Sequence, residues 1–462
     1  MIPNGTRMTM NPFLRPTQLL IVGLSVASAT HTVRAQDLGL RGEPQSHPIA
    51  IVDAFIEPVS GPSIDGGWIL FDDGYILSLG SEDREFSDET MVVDGSGLSV
   101  YPGMIHPYSR LGLSEISAVD VSRDYSEYGS MTPEVYAKVA INPDSTLYPV
   151  ARANGILLAA SFPSGGRIAG HATVTRTDGW TIEDMSVVPD AGLVVSWPNL
   201  RPITASWMSR SPADQRKSAQ AQVVELREFF DGALAYFEAK EAQPAIATDP
   251  RFEGIRPLFA QWCVSEAPSP LMAMAQDYEQ IASAMDFAQD YGIGLVIVGG
   301  REAHLIADQL RANDVSVIIL GTHRLPKRDD SAIDEAWKLP LQLHKAKVHW
   351  CLASVEMHGN ERNLPYHAAA AVAHGLPVEA ALRSITLSAA ETFGVSQRYG
   401  SLEAGKSATL IVTDGNPLEI TTQILHAFID GRQVELKTKQ TDLRDKYQQK
   451  YRLMEGSVSS TD

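Results

Sequence analysis

Val93-Asp94-Gly95-Ser96-Gly97, followed by Tyr101-Pro102-Gly103-Met104-Ile105-His106-Pro107-Tyr108-Ser109-Arg110, marks the point at which the 462-residue chain changes its pattern. Upstream, short apolar runs at 49–52, 68–71, 75–79 and 91–93 are separated by Gly66-Gly67, Asp72-Asp73-Gly74 and Asp94-Gly95. Turn chemistry at that spacing predicts a small β-sheet or sandwich. Downstream, buried-looking strand candidates fall at 100–105, 155–160, 192–196, 271–275, 294–298, 315–320 and 348–353. Several are followed by amphipathic helices: Ile281, Met285 and Ala288 line one face of 277–290, and Ala303, Ile306, Ala307 and Leu310 line one face of 302–312. Apolar strands alternating with such helices imply parallel βα units. Over about 300 residues, a (β/α) barrel is the economical closure. Near the other end, 408–412 and 427–432 return to the short-strand texture.

Composition bounds the function. With 38 Lys+Arg against 56 Asp+Glu, the net charge of −18 argues against a nucleic-acid backbone as partner. A hydrophobic fraction of 44% with 20% charged residues is that of a globular chain rather than a disordered one. Two cysteines, Cys263 and Cys351, exclude a disulfide scaffold and cysteine-rich zinc modules. At the N-terminus, Arg7 and Arg15 precede the apolar run 19–27, and Val33-Arg34-Ala35 supplies small residues for cleavage before Gln36. That pattern reads as a secretory signal over 1–35, so an exported protein, periplasmic or extracellular, is expected, without membrane insertion after cleavage. The segment 213–240 reads as a helical insertion and 438–462 as a helical or flexible tail.

The junction resembles the corresponding stretch of the amidohydrolase superfamily, in particular its imidazolonepropionase-like branch, where an apolar strand runs through Pro-Gly-x-Ile-Asp into a His-x-His pair. Gly400-Ser401-Leu402-Glu403-Ala404-Gly405-Lys406-Ser407-Ala408-Thr409-Leu410 and Asp414-Gly415-Asn416-Pro417-Leu418 resemble the family's return to its sandwich. Ala153-Asn154-Gly155-Ile156, Arg362-Asn363-Leu364-Pro365-Tyr366 and Ala381-Leu382-Arg383-Ser384-Ile385-Thr386 match between them. The resemblance covers roughly 49–435. It implies a TIM-like (β/α)8 barrel over 102–398, with a composite β-sandwich from 36–101 and 399–437. It also implies hydrolysis of a non-peptide C–N bond, in a cyclic amide or imidazolone-like substrate, with a divalent metal such as zinc making hydroxide from bound water.

The site residues depart from that family pattern. The expected Asp-x-His-x-His reads His106-Pro107-Tyr108-Ser109-Arg110, so both metal histidines are replaced, by Tyr108 and Arg110. A guanidinium stays protonated and offers no acceptor to a cation. On a strand, His106, Tyr108 and Arg110 share one face. The counterpart of the family's last-strand Asp falls on Val355 or Glu356, and Glu356 is the candidate catalytic carboxylate. His304 and His323 follow strands at the expected mouth and, with His106, are the weak metal candidates. Tyr108, Arg110, His304, His323, Arg362 and Asn363 are the candidate binding residues. Cys351 reads as a small buried hydrophobe, His374 as a helix cap, and Ser164–Gly170 as a glycine-rich loop without the Gly-Lys-Ser/Thr of a nucleotide site. Three functions stay open: a hydrolase with an altered site, a metal-free pseudoenzyme binding a small molecule through Arg110, and a partner subunit of an active relative or a homo-oligomer. No cofactor follows from the residues themselves.

Overall fold

The structure, a computed structural model, describes residues 39–265, 267–328, 330–355 and 358–458. The expected signal segment and Glu356 lie outside these residues. Five strands open the described chain: β1 (Ile49–Ile56), β2 (Ile64–Asp72), β3 (Tyr75–Gly80), β4 (Met91–Asp94) and β5 (Ser99–Pro102). A second set follows: β6 (Met104–Ser109), β7 (Ile156–Ser161), β8 (Ile168–Arg176), β9 (Ser186–Ser196), β10 (Leu271–Ala275), β11 (Leu295–Gly299), β12 (Ser316–Leu320) and β13 (Trp350–Ala353). The chain then returns through β14 (Leu410–Thr413), β15 (Ile424–Ile429) and β16 (Arg432–Gln433).

The run read as one strand at 100–105 is two. Pro102 pairs with Leu410 in the first sheet, whereas Met104 pairs with Ile156 in the second. Gly103 sits at the break, and a Cβ on it would meet the Leu157 Cδ1 at 2.6 Å, so a side chain here would be driven into the barrel core. The first sheet has the order β16-β15-β14-β5-β1-β2-β3, with β4 also beside β1. Both chain ends therefore build one hydrogen-bonded sheet where a sandwich was expected. Its own small core contains Ile51, Ile69, Phe71, Leu410, Val412 and Phe428, with Leu79 packed against it. Burying such apolar side chains stabilises by roughly 1.5–3 kcal/mol each.

The second sheet follows chain order from β6 to β13, and β13 comes back against β6, giving a nearly closed barrel. Seven of these described strands run parallel. The exception is β8, antiparallel to both β7 and β9, so uniform (β/α)8 alternation fails there. The glycine-rich span 164–170 is expected as a loop. Gly165 (φ 104°) and Gly166 (φ 63°) do make that turn, but the chain re-enters the sheet at Ile168, inside that span, and runs on through Thr173, Val174 and Thr175, whose branched side chains suit a buried strand. The insertion at 213–240 is the helix Pro212–Ala242, capped by the Ser211 side chain, which accepts from the Asp214 N–H. Its Phe230 ring meets Phe287 at 4.9 Å, which fixes the helix against the barrel. The tail forms the helix Lys439–Val458.

Candidate active site

At the C-terminal end of β6 the strand turns three side chains into different surroundings. His106 is fully buried, and its Nε2 lies 2.7 Å from the Ser354 hydroxyl just after β13. Burial first, and the nearby His367 second, push its imidazole down to about 3, so it is neutral at any physiological pH. Tyr108 packs its ring against Phe162 at 4.8 Å, and burial raises its phenol above the usual range. Arg110 lies with its guanidinium carbon 4.0 Å from the Tyr125 ring centroid, and its Nη2 donates to the Ser164 hydroxyl at 3.2 Å. It does not extend into solvent.

The carboxylate beside Arg110 is Glu361, which the sequence reading passed over in favour of Glu356. The Ser109 hydroxyl donates to Glu361 Oε2 at 2.5 Å and the Arg110 backbone N–H donates to Oε1 at 3.1 Å. Burial raises this carboxyl to about 7, against the opposing pull of the Ser109 bond, the Arg110 N–H and the guanidinium charge. The Glu361 backbone carbonyl in turn accepts from Ser354 at 3.1 Å. One chain of bonds thus runs from His106 through Ser354 and the Glu361 residue to Ser109 and Arg110, closing the barrel seam between β6 and β13.

A second missed residue is His367, buried on the helix Leu364–Val372. Its Nδ1 accepts the backbone N–H groups of Thr322 at 3.0 Å and His323 at 3.3 Å, and its ring stacks on His323 at 4.0 Å. The signal was present, since Glu361 directly precedes the quoted Arg362-Asn363-Leu364-Pro365-Tyr366 and His367 directly follows it. His323, Arg362 and Asn363 come together elsewhere, with Asn154, Tyr366 and Arg444, around a cavity of about 650 Å³ beside the tail helix. His304 stands apart from both groups, in the turn after β11, its imidazole lowered by burial. The binding candidates therefore occupy three places rather than one.

The remaining candidates have structural roles. Cys351 is fully buried, and burial lifts its thiol to about 12. His374 Nδ1 bonds the Ala370 carbonyl at 2.8 Å, the expected cap. His171 lies in β8 between Asp190 Oδ1 and the Gly254 carbonyl, both at 2.7 Å.

Zinc would need three or four nitrogen, sulfur or oxygen donors converging at the strand ends. Among the described residues no group of three or more His, Cys, Asp or Glu side chains is placed to hold a metal. His106 is engaged with Ser354, His367 Nδ1 with two backbone donors, and Arg110 brings a permanent positive charge. The described residues do not fit the family's metal.

Comparison with known proteins bears on the fold and on this strand-end site. Residues 295–438 match the amidohydrolase family model. The amidohydrolase tasK of Hapsidospora irregularis is 38% identical over 72 residues, 16% of this chain, and the chain spans 7% of that relative's length. Among solved structures, an amidohydrolase from Thermotoga maritima MSB8 superposes with a TM-score of 0.71 at 22% identity, over 84% of this chain and 99% of its own. Molinate hydrolase gives 0.54 at 15% identity, over 86% and 96%. A prolidase complexed with N-methylphosphonate-L-proline gives 0.51 at 14%, over 84% and 99%. The described chain thus has the amidohydrolase fold, and its 295–438 segment carries that family's sequence pattern.

Proposed function

We propose that this chain admits a small amide or imidazolone-like molecule to the barrel mouth, the substrate class of C–N hydrolases with this fold, and holds it without metal-hydroxide hydrolysis. The observation that carries the reading is Arg110. Its guanidinium is fixed over Tyr125 and bonded to Ser164 where the resemblance puts a metal-binding histidine. A second positive ion about 4 Å away would be repelled by about 4 kcal/mol per unit charge at an effective dielectric of about 20. The same charge suits a ligand carboxylate or a polarised carbonyl. Tyr108 and Phe162 add an apolar wall beside it. Export, with action outside the cytoplasm, is part of this proposal, as is the option of working beside an active relative.

A second reading is favoured by Glu361. A buried carboxyl held at about 7 next to an arginine exchanges a proton near neutral pH, as a general acid–base group must. Hydrolysis would then proceed without a metal. One experiment separates the two: purified protein is incubated with amide and cyclic-amide compounds bearing a carboxylate, with and without EDTA, while melting temperature and ring-opening or amine release are followed. The first reading expects a thermal shift that Arg110→Gln removes, and no turnover. Turnover in EDTA that Glu361→Gln abolishes establishes the second. Zinc near one equivalent that survives dialysis, with turnover that EDTA abolishes, overturns both.

A further inference from the structure

We propose that the ends of β10, β11 and β12 form an oxyanion site, built for a carboxylate or phosphate group. Three loops converge there. Gln276 and Asp277 follow β10, Arg301, Glu302 and His304 follow β11, and Arg324, Lys327 and Arg328 follow β12. Arg201 reaches in from beyond β9 and donates to Glu302 Oε1 at 2.8 Å, with the Arg328 Nη1 at 3.9 Å from the same oxygen. Lys327 pairs with Asp277, and Arg324 Nη1 donates to Glu335 Oε1 at 3.3 Å. Glu302 is itself held by the Tyr278 N–H at 3.0 Å and by the bond from its own N–H to the Gln276 carbonyl at 3.0 Å.

Positive charge gathers at this rim. Five cations, Arg201, Arg301, Arg324, Lys327 and Arg328, crowd against Asp277, Glu302 and Glu335, with Asp330 pairing Arg328 at the outer edge. Like charges press on one another: Arg301 acts on Arg324, and both Arg201 and Arg328 act on Lys327. A chain with a net charge of −18 has no general need to gather guanidinium groups at one rim. The repulsion is relieved when an anion enters between them.

Orphaned polar atoms accompany that charge. Gln276 Oε1, His304 Nδ1 and Arg324 Nη2 are buried and lack a hydrogen-bond partner. Leaving a buried polar atom unpaired is costly, and native structures hold few of them. These three belong to the same neighbourhood. His304 and Arg324 both feel Glu335, and Gln276 bonds through its carbonyl to Glu302. The Gln276 amide lies over Gly299, where a Cβ would come within 2.1 Å of its Nε2, so the backbone there leaves room only for the glutamine. An oxyanion accepts from Arg324 Nη2 and from His304 when Nδ1 carries the proton. A turned Gln276 amide adds a third donor, since its oxygen and nitrogen interchange by rotation.

The test is titration of the full chain with inorganic phosphate and, separately, with oxalate, followed by calorimetry and by the ¹⁵N-histidine spectrum. Saturable binding of at least one anion at about 1:1 is expected, with the His304 ring signals moving along the isotherm. Arg324→Gln and Lys327→Met should each weaken it at least tenfold, while Arg227→Gln, on the far helix and paired with Asp290, should leave it unchanged. If Arg324→Gln fails to fold, the half-buried Arg301→Gln takes its place with the same expectation. A tighter isotherm for phosphate identifies phosphorylated ligands, and one for oxalate identifies carboxylates. Flat titrations for both anions, or equal weakening by Arg227→Gln, would overturn the proposal.

Discussion

Replacing Glu361 by glutamine should alter how stability depends on pH more than it alters stability itself. The carboxyl is almost fully buried and raised from 4.5 to about 7, chiefly by burial. Between those values the folded chain holds a proton that the unfolded chain has released. A raised carboxyl favours folding below 4.5, and that advantage is lost as pH climbs through 7. The full swing corresponds to about 3 kcal/mol. Glutamine keeps an acceptor for the Arg110 N–H and an amide that can donate to the Ser109 hydroxyl, but it cannot ionise. Urea unfolding followed by tryptophan fluorescence at pH 5, 6, 7 and 8 reads the difference directly. Wild type should lose about 2.5 kcal/mol more than Glu361→Gln between pH 5 and 8, with most of the divergence below pH 7. Parallel pH profiles for the two proteins, or a wild type that gains on the variant as pH rises, would show that Glu361 is ionised throughout and that burial does not dominate its environment.

Arg152→Met should cost about 3–5 kcal/mol in urea unfolding. Arg152 is fully buried, bonds the Thr177 carbonyl at 2.6 Å and the Glu435 carbonyl at 2.9 Å, and lies 3.3 Å from Asp178, whose buried charge would lose that neighbour. For the thiols, Ellman's reagent should titrate one group, Cys263, in the native protein and two after denaturation. Cys351 combines complete burial with a thiol raised to about 12, which leaves almost no thiolate.

The strands were legible wherever apolar residues ran together between turn residues, as at 271–275, 294–298 and 315–320, because buried parallel strands need no polar face. β8 was not, because Ala169-Gly170-His171-Ala172 has neither a clear alternation nor a branched run, and its strand character appears only from Thr173 onward. The Pro102-Gly103 break was hidden by continuous hydrophobicity, since both halves are buried, each in a different sheet. At the site, Tyr108 and Arg110 could be read directly as standing where the resemblance puts a His-x-His pair. Their partners could not. Ser109 and Glu361 are 252 positions apart, and nothing in local spacing says that a glutamate in the 3-10 turn His358–Asn363 will be folded under the mouth. His367 was masked by the Ala-rich helix around it, where a histidine looks like one more surface residue until the helix is laid against Thr322 and His323.

The pairing of β5 with β14 has a consequence for how the protein is made. Pro102 must wait for Leu410, and at ordinary rates of synthesis the roughly 300 residues between them take roughly 15–60 s to emerge. Throughout that interval β5 offers an unpaired row of backbone donors and acceptors, from Ser99 to Pro102, to whatever strand arrives first. The barrel strands are the nearest competitors, and they emerge in the intervening time. A ribosome that slows after residue 102 lengthens this exposure, whereas one that slows after residue 413 no longer matters. The vulnerable stage of this fold is therefore the nascent chain, with its first sheet left open until the last strands are delivered.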